Sequence, residues 1–239
     1  MLKSPLHFLC KYTGRFLDTC ITYGINSKET FLGVSAITNF VHKGDLPADV
    51  VFEGDLAVDT EAMGLINQRD RLCVVQISDG KGDAHLVQID PETFAAPRLK
   101  ALLEDTSRTK IFHFARFDVA ILWFYLQAEV APIYCTKIAS KLCRTYTDRH
   151  GFRDLCRELL SQDISKQQQS SDWGADELTP EQINYAASDV LYLHGLRDKL
   201  NVMLEREGRT NLAKECFAFI PTRCALDLEG WPETDIFSH

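Results

Sequence analysis

The stretch Asp55-Leu56-Ala57-Val58-Asp59-Thr60-Glu61 is a short apolar run that ends in two carboxylates one residue apart. The run reads as a strand, and because side chains of a strand alternate between faces, Asp59 and Glu61 project to the same side. Two carboxylates forced together without a cation repel and raise one another's pKa, so a hard divalent ion, Mg2+ or Mn2+, is the natural reason to pair them. Spacing alone is a poor signal. Asp-x-Glu recurs at Asp227-Leu228-Glu229, between Cys224-Ala225-Leu226 and Gly230-Trp231-Pro232, where it reads as a solvated turn. The first copy would be a solvated strand end if no other acids followed.

Others do follow. Asp118 lies in the apolar stretch Lys110-Ile111-Phe112-His113-Phe114-Ala115-Arg116-Phe117-Asp118-Val119-Ala120-Ile121-Leu122, where an unpaired carboxylate is expensive to bury and requires a cation or hydrogen-bond donors. The alternative is a carboxylate at a helix N-terminus, held by free backbone N–H groups and the helix dipole. Tyr185 and Asp189 stand at i and i+4 of a helical pattern, so hydroxyl and carboxylate share one face one turn apart. Alone, that pair is a buried tyrosine bonded to its neighbour. Together, Asp59, Glu61, Asp118 and Asp189 with Tyr185 form the constellation of a two-metal nuclease site.

Outward from the first acidic strand, Leu72–Ser78 and Ala84–Ile89 read as two more strands. The turns Asn67-Gln68-Arg69-Asp70 and Asp79-Gly80-Lys81-Gly82 join them. Connections this short predict an antiparallel three-strand meander. Beyond it the pattern predicts helices over Leu99–Leu103, Phe117–Leu126 and Thr136–Arg144, and strands over Lys110–His113 and Pro132–Cys135. Thr179, Pro180 and Gln182 supply an N-cap, a first-turn proline and a capping-box partner for one long helix through Tyr185, Asp189, Leu193, Leu196 and Leu200. The expected fold class is α/β, a mixed sheet of the meander plus parallel strands, flanked by helices. Residues 1–36 read as a loosely ordered N-terminal extension, 37–208 as the catalytic domain, and 209–239 as a C-terminal helix and tail that pack on it. That helix runs through Phe217 and Phe219, after which the chain passes Pro221 into Gly230-Trp231-Pro232.

At 239 residues with 45% apolar and 25% charged residues, the chain has enough material for one sizeable core. No stretch approaches the apolar length of a membrane span, so no membrane partner is expected. The net charge of -8 argues against gripping nucleic acid by bulk electrostatics. Locally, Lys137, Lys141, Arg144, Arg149, Arg153 and Arg157 face only Asp148 and Asp154. By itself that run is a solvated helical face; beside an acidic metal site it becomes a phosphate track. The eight cysteines contain no Cys-x-x-Cys pair, which argues against zinc, and without a secretory signal or disulfide framework the expected compartment is the cytoplasm.

In order and spacing these segments resemble the three motifs of the DEDD exonuclease superfamily, most closely the ribonuclease D family, over about residues 40–205. Asp59-Thr60-Glu61 matches the first motif, the segment ending in Asp118 the second, and Tyr185-Ala186-Ala187-Ser188-Asp189 the third. Tyr185, with Asn184 before it, places the chain in the tyrosine subclass. Asp172-Trp173 after Lys166-Gln167-Gln168-Gln169-Ser170-Ser171 is similar to the family's approach to its third motif. One departure is His113-Phe114-Ala115-Arg116, where many relatives carry an asparagine.

The resemblance implies a ribonuclease H-like fold and stepwise hydrolysis from RNA 3′ ends, releasing 5′-mononucleotides with two divalent ions, Mg2+ or Mn2+. Asp59 would bridge the ions, Glu61 and Asp189 would complete one site, and Asp118 would hold the second ion. Tyr185, with an ordinary pKa near ~10, is a better orienter of the attacking water than a base. Met63 and Gly64 would lie against the last sugar and base, His113 would approach the same nucleotide, and Trp173 would stack on upstream bases. Single-stranded DNA remains an alternative substrate, and a catalytically silent nucleic-acid-binding module an alternative class.

Overall fold

The computed structural model describes residues 21–22 and 38–239, apart from 166 and 169. Among the described residues seven strands, β1 (Ile21–Thr22), β2 (Asn39–Lys43), β3 (Leu56–Ala62), β4 (Leu72–Ser78), β5 (Ala84–Gln88), β6 (Lys110–Phe112) and β7 (Ile133–Cys135), form one sheet. Their order is β1-β2-β5-β4-β3-β6-β7. Helices accompany them: α1 (Pro97–Glu104), α2 (Ala115–Leu126), α3 (Thr136–Cys143), α4 (Phe152–Leu160), α5 (Pro180–Leu191), α6 (Leu193–Arg206) and α7 (Thr210–Leu228). Apart from β1, the N-terminal extension expected over 1–36 lies outside the described residues.

The meander is present: β3 pairs antiparallel with β4, and β4 with β5. Parallel pairing flanks it on both sides, β2 with β5 and β3 with β6 followed by β7. Every residue of β4 is buried, as expected for a central strand covered on both faces. Helix α5 crosses one face against β2, β3, β4 and β5. Its capping box is formed as the sequence predicts, with Gln182 N–H donating to Thr179 Oγ1 (3.2 Å) and Thr179 N–H donating to Gln182 Oε1 (2.8 Å).

The register of β6 sets the place of α2. Lys110 and Ile111 pair with Leu56 and Ala57, so β3 runs past the end of β6 and its edge is vacated from Val58 onward. The first turn of α2 fills that edge, entered through Phe114, whose φ of 73° is left-handed. A non-glycine residue there is strained, and the sharp strand-to-helix turn needs it. At the other end of β6, Lys110 is fully buried. Its ammonium donates to the carbonyls of Asp105 (2.7 Å), Arg108 (2.8 Å) and Ala131 (2.5 Å), which satisfies all three hydrogens.

Three expectations are corrected. The long helix after Thr179 is two helices, broken at Tyr192, and Gly195 lets α6 approach Leu160 of α4, where a Cβ would meet Leu160 Cδ2 at 3.3 Å. Helix α7 continues through Pro221 to Leu228. The second Asp-x-Glu is no solvated turn: Asp227 ends α7 with its side chain 14% exposed and paired to Arg116 of α2 (2.6 Å) and to Arg223 (2.6 Å). Among the described residues no helix is long and apolar enough to cross a membrane.

Candidate metal centre

Asp59 and Glu61 leave β3 on the face crossed by α5, and Asp189 descends from α5 to meet them. One oxygen from each of the three lies within 4.8 Å of the others, a spacing that fits a shared cation. Asp118 comes from the opposite side. Thr60, pointing away from its acidic neighbours, donates its hydroxyl to Asp118 Oδ1 at 2.7 Å. Asp118 therefore stands beside the trio rather than within it, buried at 3% exposure. The register that ends β6 early is what lets acids from both faces of the sheet open into one cleft.

The electrostatics are those of anions lacking a counter-charge. Burial first, then Asp118, Asp189 and Glu61, hold Asp59 well above the carboxylate range. Burial and the charges of Asp189 and Asp118 push Glu61 up to about 9. Burial raises Asp118 and Asp189 to about 7 each, against the opposing hydrogen bonds from Thr60 and from the Tyr185 hydroxyl. Hard oxygen donors that cannot all ionise by themselves fit a divalent cation, which would stabilise every carboxylate at once.

All nine residues picked out from the sequence line one cleft of about 630 Å³. Met63 is open to it at 52% exposure. A Cβ at Gly64 would meet the carboxylate of Asp70, which accepts from the Ile66 N–H, so a larger residue there would have to displace that side chain. His113 Nδ1 lies 2.9 Å from Thr136 Oγ1, whose single proton goes to the carbonyl of Phe112 (3.1 Å). Nδ1 is therefore the donor, and the ring, pushed down to about 3 by burial and by Lys137, is neutral with Nε2 as an acceptor.

Trp173 departs from expectation. At 2% exposure it reaches the cleft wall without an open face for a base; its ring lies 6.0 Å from that of Tyr185, tilted by 39°. The aromatic ring open at the cleft is Phe114, 45% exposed, with Lys137 Nζ 4.2 Å from its centroid. The basic run is also partly consumed by the fold. Arg144 is fully buried, bonded to Ser140 Oγ (3.0 Å) and the Arg149 carbonyl (2.7 Å) and ion-paired with Glu158, while Arg157 pairs with Asp154 (2.7 Å). Of these lining groups, sequence reasoning missed Thr60 and Phe114. Thr60 could have been found from its place between two acids, whereas the exposure of Phe114 arises from a backbone conformation that no local pattern announces.

Carboxylates from β3, α2 and α5 clustered on a mixed, helix-flanked sheet are the arrangement of a metal-dependent nuclease. The profile of the 3′-5′ exonuclease family matches residues 40–205. The chain belongs to that family. Ribonuclease D of Granulibacter bethesdensis is 30% identical over 194 residues, 81% of this chain and 49% of that protein. Ribonuclease D of Acidiphilium cryptum is 34% identical over 160 residues, 67% of this chain and 40% of that protein. The chain thus spans two fifths to a half of the length of these curated relatives. Among solved structures, Brucella melitensis NrnC bound to pGG is 55% identical with a TM-score of 0.82, covering 85% of this chain and 100% of that one. The same protein with bound Mg2+ has a TM-score of 0.80 at 55% identity, covering 83% of this chain and 98% of that one.

Proposed function

We propose that this chain is a 3′-to-5′ exoribonuclease that hydrolyses the terminal phosphodiester of RNA with two divalent cations and releases 5′-mononucleotides. The convergence of Asp59, Glu61 and Asp189 within 4.8 Å, with Asp118 fixed beside them, carries the reading. In it, Asp59, Glu61 and Asp189 would hold one cation, and Asp118 would help to hold a second beside it. Bound Mg2+ or Mn2+ supplies positive charge that acidifies water and offsets the charge of the phosphate and of the leaving 3′ oxygen.

The remaining groups bind and orient. Burial and the charge of Asp189 raise the Tyr185 hydroxyl above its ordinary value, so at neutral pH it keeps its proton, donates it to the Asp189 carboxylate, and leaves its oxygen to accept from the attacking water without acting as a base. Neutral His113 offers Nε2 to accept a hydrogen bond from a sugar hydroxyl, a contact that favours ribose. Met63 and the close backbone at Gly64 flank the terminal nucleotide, and Phe114 with Lys137 receives the next base and its phosphate. The pGG ligand of NrnC supports short oligonucleotides as substrates.

The test is parallel digestion of matched RNA and DNA oligonucleotides, down to pGG, with Mn2+ and product identification. Release of 5′-mononucleotides from RNA 3′ ends, abolished by Asp59→Asn, is the expected result. Faster cleavage of DNA overturns the substrate assignment, and activity that survives the substitution overturns the metal role.

A further inference from the structure

Gln76 occupies the middle of β4, directly opposite Asp59 of β3 and Leu86 of β5. Opposed residues of an antiparallel pair share a face, with Cβ atoms about 4.5–5.5 Å apart. Gln76 therefore lies beneath α5 on the side that carries Asp59 and Glu61. It is fully buried, and among the described residues neither its Nε2 nor its Oε1 has a hydrogen-bond partner.

A carboxamide buried with both ends unpaired forfeits its hydrogen bonds to water without replacement, whereas leucine or methionine would fill a similar volume without that penalty. Packing therefore does not account for glutamine at this position. A partner that becomes available when the site is loaded does. Carboxylates that ligate a metal are themselves oriented by hydrogen bonds to the oxygen or lone pair the metal leaves free. Asp59 is the acid opposite Gln76, and the glutamine side chain spans a cross-strand distance.

We infer that Gln76 is a positioning residue for Asp59: its Nε2–H donates to the Asp59 carboxylate when that group turns to bind the cation, and fixes its orientation. The inference rests on the metal-centre reading above. It adds a function for a strand that contributes no ligand. Substitution by an apolar residue of similar length removes an unpaired buried amide from the metal-free protein and removes the orienting donor from the loaded one, so the two states respond in opposite directions.

The experiment compares wild type, Asp59→Asn, Gln76→Leu and Gln76→Met. Mn2+ affinity is read from the paramagnetic resonance of the free ion, thermal melting is followed in chelator, and kcat and KM are measured on a short RNA. Gln76→Leu is expected to melt in chelator no lower than wild type, to bind Mn2+ about 10- to 100-fold more weakly, and to keep the KM for RNA at saturating Mn2+. Wild-type Mn2+ affinity in a folded Gln76→Leu overturns the inference and leaves the metal centre standing. If Gln76→Leu does not fold, Gln76→Met, unbranched like glutamine, takes its place. If neither folds, the amide is a structural group and the inference is overturned. Absence of Mn2+ binding by wild type itself removes the metal-centre reading together with this one.

Discussion

Replacing Asp227 with alanine tests whether the C-terminal helix braces the metal centre. Arg116 Nε and Nη2 reach the two oxygens of Asp227 at 2.6 and 2.8 Å, and Arg223 donates to Oδ1 at 2.6 and 3.0 Å. Removing the carboxylate leaves two guanidinium groups facing each other. For a fully buried pair, truncation costs about 3–5 kcal/mol. Here Arg116 is 38% exposed and Arg223 21% exposed, so solvent screens part of the loss. About 2 kcal/mol remains after that discount. For a domain of this size, that lowers Tm by about 4–8 °C. Arg116 lies two residues before Asp118 in the first turn of α2, so the loss should also appear as faster amide exchange over Ala115–Asp118. A double-mutant cycle of Arg116→Gln with Asp227→Ala isolates the coupling, expected at about 1 kcal/mol or more. A coupling indistinguishable from zero, with exchange at α2 unchanged, refutes the brace.

Two further outcomes are set by the geometry. Tyr185→Phe keeps the ring against Trp173 but removes the donor to Asp189; it should lower kcat by about 10²-fold while Mn2+ affinity stays at the wild-type value, and a parallel loss of affinity would reassign Tyr185 to metal binding. His42 and His85 stack at 5.3 Å with Nε2 and Nδ1 3.0 Å apart, and burial followed by the neighbouring His85 pushes His42 down to about 4 from an ordinary 6.5. Below pH 6.5 the unfolded chain takes up a proton that folded His42 refuses, so its contribution is complete above that pH and is lost towards about 4. The slope is about 1.4 kcal/mol per pH unit. Denaturant midpoints measured down to about pH 5 should therefore fall less steeply for His42→Phe than for wild type, and parallel slopes would contradict the assignment.

Much of the architecture was legible because local chemistry and tertiary demand agree. The turn Asp79-Gly80-Lys81-Gly82 contains two positive-φ glycines, at 80° and 111°, and the strands it separates fall where alternation and β-branched residues put them. The cap at Thr179 is equally local. What escaped depends on partners distant in sequence. Charge counting makes Arg144 a surface cation, but Glu158 and the carbonyl of Arg149 draw it fully inside. Asp227 looks solvated until Arg116, 111 residues away, is placed against it. Trp173 has the composition of a stacking platform, and only its burial at 2% exposure shows that no face is open to a base. The acids themselves were legible as a set, but the approach of Asp118 across a vacated strand edge depends on register, which sequence pattern does not specify.

Lys110 carries a consequence for chemical probing. With no exposed surface and each ammonium hydrogen committed to a carbonyl, its amine cannot attack an acylating reagent while the domain is closed. Surface lysines such as Lys141 react regardless of what the interior does. The rate at which Lys110 becomes labelled, ratioed to theirs within one digest, is then an internal clock for how often the sheet parts at β6, readable by mass spectrometry without installing any reporter.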